Sequence, residues 1–76
     1  GPAGKAAVPG LVELLKDADP EVRLNAATAL GAFGTDAKAA DAALIPLLKD
    51  RDEKVRGQAA ETLGKIGSDP ASAVPA

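Results

Sequence analysis

The sequence predicts an all-α protein, and more narrowly an α-solenoid of two helical hairpins flanked by partial repeat ends. Three observations predict it. Shifted by 33 residues, the chain overlays itself: Leu11 to Asp36 pairs with Leu44 to Asp69, and fourteen of those twenty-six positions are identical. Within each period the apolar residues fall at helical steps of three and four, and no stretch alternates as a strand does. Finally, eighteen of the thirty-five apolar residues are alanine, which favours helix and lets helices pack closely. A helical period in the thirties marks an array whose units bury their faces against one another.

The elements follow in chain order. Gly1-Pro2, without an initiating Met, reads as the scar of a cleaved expression tag and is set aside. Val8, Leu11, Val12, Leu14 and Leu15 then define a first helix running to Lys16. The turn Asp17-Ala18-Asp19-Pro20-Glu21 starts a second helix. Asp19 suits the N-cap, Pro20 the first helical position, and Glu21 the positive helix end. Val22, Ala26, Ala29, Leu30 and Phe33 form the apolar stripe of that helix, and Gly34 supplies a left-handed stop. Asp36 is expected to cap the next helix.

The second unit repeats the scheme. A helix runs through Leu44, Leu47 and Leu48, Asp52 caps the next, and Val55, Ala59, Leu63 and Ile66 lead to Gly67. Pro46 conflicts with this pattern, because it has no N–H to give the carbonyl of Ala42. A kinked or late-starting helix is expected there, its main part beginning near Asp41. The units are placed at 3–34 and 35–67. Ala73-Val74-Pro75 repeats Ala7-Val8-Pro9, so 68–76 reads as the start of a truncated third repeat in a longer array.

Composition narrows the chemistry. Nine basic and eleven acidic residues leave a net charge of −2, which gives no long-range attraction for a polyanion. Lys49, Arg51, Lys54 and Arg56 are interleaved with Asp50, Asp52 and Glu53, and Phe33 is the one aromatic residue, so nucleic acid is not expected as a partner. Without Cys or His there is no thiolate chemistry and no common metal ligand or general base. No run approaches a membrane span and no signal-peptide pattern opens the chain; a soluble, cytoplasmic protein is expected. Asp17-x-Asp19 and Asp50-x-Asp52 fail as calcium loops, since the sixth position from Asp17 is Val22 and the twelfth Thr28. Turn formation and capping explain both pairs. The glycines of Gly31-x-x-Gly34 and Gly64-Lys65-Ile66-Gly67 lack the spacing of a phosphate loop and end helices instead. No residues are spaced to activate a nucleophile, and no catalysis, cofactor or metal is expected.

The run Leu14-Leu15-Lys16-Asp17-Ala18-Asp19-Pro20-Glu21-Val22-Arg23, followed by Ala26-Ala27 and Leu30-Gly31-Ala32-Phe33-Gly34, resembles the HEAT repeat. It is closest to the short bacterial and archaeal type also found in phycobilin-lyase relatives, and Leu47 to Gly67 carries the pattern again. The resemblance implies hairpins stacked with a small rotation in a right-handed α-α superhelix. First helices would lie on the convex side and second helices on the concave side. It also implies a polar ladder between units, built of Asp17, Asp50, Arg23 and Arg56. Such a pattern specifies fold far more than activity.

Positions that agree between the copies are those stacking requires, and positions that differ are free to face solvent. On the second helices the differing face comprises Leu24, Asn25, Thr28 and Ala32, then Gly57, Gln58, Glu61 and Lys65, with Leu24 expected to stand exposed among polar neighbours. This face is expected to bind a protein partner, since repeat arrays commonly use their concave side so. An alternative is a self-associating module whose uncapped ends, at Val8, Phe33, Val55, Leu63, Ile66 and Val74, stack or swap into homo-oligomers. A third reading, a phycobilin-lyase-related segment, rests on the family resemblance alone.

Overall fold

In a computed structural model the described residues are 2–67, with side chains described for 6–34 and 37–67. The expected third-repeat start at 68–76, with Val74, lies outside them, as does Gly1. Helix α1 spans Pro2–Leu14 and α2 spans Pro20–Ala32. A 3-10 segment, Gly34–Ala40, leads to α3, Asp41–Leu44. A second 3-10 segment, Ile45–Lys49, precedes α4, Glu53–Lys65. No strand occurs among the described residues.

The turns between first and second helices are built twice from the same parts. Asp17 Oδ1 accepts the Asp19 N–H at 2.9 Å, and Asp50 Oδ1 accepts that of Asp52 at the same distance. Asp19 then caps α2 by accepting the Glu21 N–H at 2.9 Å, and Asp52 caps α4 by accepting those of Lys54 and Val55 at 2.8 and 3.3 Å. Each cap satisfies helix N–H groups that have no intrahelical partner. Gly34 and Gly67 take positive φ, 58° and 77°, a conformation that a Cβ penalises.

Differences from expectation gather in the linking segment. Beyond Gly34 the chain winds at once into 3-10 structure, with Phe33 at the cap position and no side-chain cap. Asp36 thus stands inside that segment rather than ahead of a helix, and its side chain lies outside the described part. The segment also buries Ala37 and Ala40, two residues small enough to fit under α1. Pro46 is accommodated by a change of winding. The α-helical turn starts at Asp41 and gives way at Ile45 to 3-10 structure, placing Pro46 in its first turn, where the missing N–H costs no bond. Pro9, exposed, sits inside α1, so the Lys5 carbonyl receives no helical donor there.

First and second helices form two layers, and the principal extents are 32 × 29 × 14 Å, the short axis fitting two helices packed about 8–10 Å apart. Helix α2 packs most extensively against α4, while α4 also packs against Ile45–Lys49 and α1 against α2 and Gly34–Ala40. Leu30, Leu44, Val55 and Ile66 are fully buried at the centre. Each contributes roughly 1.5–3 kcal/mol of transfer free energy.

Candidate functional site

Two features of the molecule bear on function: the joint between the repeats and the exposed face of the second helices. At the joint, Arg23 reaches from α2 to the turn of the second repeat. Its Nε donates to Asp50 Oδ2 at 2.9 Å and its Nη2 to Asp50 Oδ1 at 3.0 Å, a two-pronged pair with side chains only 15% and 8% exposed. The third prong, Nη1, donates to the carbonyls of Asp17 and Ala18 at 2.8 and 3.0 Å, tying the guanidinium to its own turn. Such a planar fork matches a carboxylate in distance and direction. The guanidinium's hydrogen bond holds the Asp50 carboxyl below the usual carboxylate range, outweighing the burial that pushes it up. By the same bond, Asp50 raises the Arg23 pKa.

Arg56 repeats half of this arrangement. Its Nη1 donates to the carbonyls of Asp50 and Arg51 at 2.7 and 3.2 Å, but no described carboxylate meets its other edge. The ladder residues Asp17, Asp50, Arg23 and Arg56 therefore form one complete rung, Arg23 with Asp50, and two half-rungs. The turns enclose an open depression of about 760 Å³ lined by Lys16, Lys49 and Arg51 together with Asp17 and Asp52. Its charges are of both signs. Among the described residues no group of three or more metal-binding side chains converges, and no helix is long and apolar enough to cross a membrane.

The second-helix face is continuous across the joint. Gly31 lets the two helices approach: a Cβ there would lie 3.3 Å from Lys65 Cδ and 3.4 Å from Thr62 Oγ1, so the aliphatic stem of Lys65 rests on α2 at this position. Thr62 is fully buried and donates its hydroxyl to the Ala27 carbonyl at 2.8 Å, while accepting from Gln58 Nε2 at 3.0 Å. Asn25, Thr28, Ala32, Gly57, Glu61 and Lys65 are exposed, and Gln58 is half-buried. The Thr28 hydroxyl turns back to the Leu24 carbonyl at 2.9 Å, and Lys65 lies 3.7 Å from Glu61 on the same helix.

Two expectations need correction. Leu24 does not stand exposed; it is half-buried and packs against the core. The one large apolar side chain classed as exposed among the described residues is Leu14, at 43%. Nor do Val8, Val55, Leu63 and Ile66 form an open end. All four are buried in the core, because α4 turns its large apolar residues inward and leaves its small ones outside; Phe33 is half-buried. The buried hydroxyl of Thr62 was not foreseen, since in the sequence it is only a differing position beside the apolar stripe.

A helical-repeat protein is what these recurring turns and the shared joint define, with the repeat-to-repeat contact supplying the core. A family model of HEAT repeats matches residues 8–76, and the chain belongs to the HEAT-repeat family. HEAT repeats generally mediate protein interactions and are typically non-catalytic. Neither a curated protein nor a solved structure matches the chain.

Proposed function

We propose that this chain is a non-catalytic scaffold segment that presents the second-helix face to a protein partner. The observation that carries the reading is the close approach of the two second helices at the joint, where the aliphatic stem of Lys65 from α4 rests on α2 at Gly31. Leu24 and Ala32 give the surface a modest apolar strip, and Asn25, Thr28, Glu61 and Lys65 give it polar contacts at both sides. A strip of this kind suits a short amphipathic segment of another protein, which gains affinity from a few apolar anchors and specificity from the polar margin.

The test is to select binding peptides against the whole chain by display and map them by substitution. Thr28→Arg and Glu61→Arg should each weaken the selected peptides about tenfold or more, while Glu13→Arg on the first-helix layer should leave them unchanged. Peptides that lose affinity with Glu13→Arg and not with the other two would refute this face as the partner site.

A further inference from the structure

The two repeats expose opposite sides of equivalent positions. On α2, Arg23, Ala27 and Gly31 lie one helical turn apart and are covered by the second repeat. On α4 the same three residue types recur at Arg56, Ala60 and Gly64, and all three are exposed. The converse holds on the other side. Leu47, Val55 and Thr62 are buried, with α4 packed on α2 and Thr62 seated on the Ala27 carbonyl, whereas their equivalents Leu14, Val22 and Ala29 are exposed or half-buried. One end of the chain is therefore a copy of the surface that its own second repeat rests on. The opposite end is a copy of the surface that does the resting.

The polar parts match as closely. Asp17 already accepts the Asp19 N–H just as Asp50 accepts that of Asp52. Arg56 is already fastened to the carbonyls of its turn just as Arg23 is. Each half-rung is thus set in the geometry of the complete one, with opposite charges at opposite ends of the molecule. Such a contact is head-to-tail rather than self-reciprocal, so it does not stop at two copies unless the rotation closes a ring.

We infer that copies of this chain stack head to tail, the outer face of α4 in one copy receiving the Leu14 and Ala29 side of the next, with Arg56 of the first clasping Asp17 of the second. This surface is separate from the second-helix face proposed for a partner, and either holds without the other.

Sedimentation equilibrium of the whole chain, followed by refractive index from about 10 µM to about 1 mM, tests it. The average mass should climb with concentration and pass that of a dimer. Arg56→Asp removes one end of the contact, and Asp17→Asn weakens the other while keeping an acceptor for the Asp19 N–H. Each alone should weaken association about tenfold or more. Mixed in equal amounts they hold one competent pair of ends, Arg56 with Asp17, and should form a one-to-one complex that grows no further. Gly64→Leu is an independent block that leaves the turns untouched, because no described residue lies within 4 Å of a Cβ at Gly64. Circular dichroism confirms that each variant keeps its helices. A wild-type chain that stays monomeric at about 1 mM would overturn the inference. So would one that stops at a dimer, or an oligomer indifferent to Gly64→Leu.

Discussion

Set the first repeat beside the second and the same side chains meet different fates. Leu44 and Leu47 are buried, while Leu11 is half-buried and Leu14 exposed; Gly31 is covered, while Gly64 is open. The residue types are identical, although α1 is one continuous α-helix where the second repeat has the short α3 and a 3-10 segment, so burial here follows the surroundings and not the residue type. In a globular domain an apolar residue at helical spacing is placed by its own element's inward face. In this chain each helix has two neighbours' worth of contact surface, and the internal joint uses one side of each.

The comparison is broken most forcefully in the core. Leu44→Ala should cost about 2–5 kcal/mol, enough to unfold much of a chain this small, whereas Leu11→Ala should cost about half as much or less. Equal losses in urea titrations would show that the two repeats are energetically alike. Glycine pairs give the next largest contrast, measured at low concentration. Gly31→Leu must displace Lys65 and press on Thr62, a loss of about 1–3 kcal/mol. Gly64→Leu meets no described neighbour and should gain about 0.5–1 kcal/mol from helix propensity. The smallest effect sharpens the contrast through pH. Because the folded-state pKa of Asp50 is lowered, its contribution is complete above the unfolded value of about 3.9 and is lost as the pH falls through the folded one. Melting curves should separate wild type from Asp50→Asn near neutral pH and bring them together in strong acid. A gap that persists in acid would mean that the substitution acts otherwise than through the charge facing Arg23, since Asn keeps an acceptor for the Asp52 N–H.

Much of this fold is legible in the residues, for reasons that are local. Asp19, Pro20 and Glu21 announce a helix start because each acts on backbone groups within one turn of itself, and Gly34 and Gly67 announce helix ends for the same reason. Of the ladder that the family resemblance implies, one rung, Arg23 with Asp50, spans the joint. The linking segment was harder to read. Asp36 has every quality of a cap, yet the chain is already winding when it arrives, because Ala37 and Ala40 are drawn under α1. The candidate surface was read less well than the fold. Leu24 looks solvent-facing because it differs from Gly57, but a differing residue can still lean on the core. Identity between copies hides a further fact, that Leu14 and Leu47, or Gly31 and Gly64, occupy unlike surroundings. No pattern within either repeat records which side its neighbour takes.

Thr62 gives the inner joint a property that an outer one would lack. Faces of alanine and glycine are smooth, and two such helices can slip along each other with little change in contact. The buried hydroxyl seated on the Ala27 carbonyl works against such slippage, pinning α4 to one position along α2. In the first repeat that place is held by Ala29, which has no donor to offer a preceding helix. A column of stacked copies would then be mechanically uneven, stiff within each molecule and slack at every seam, and under load it would shear between molecules before any one of them yields.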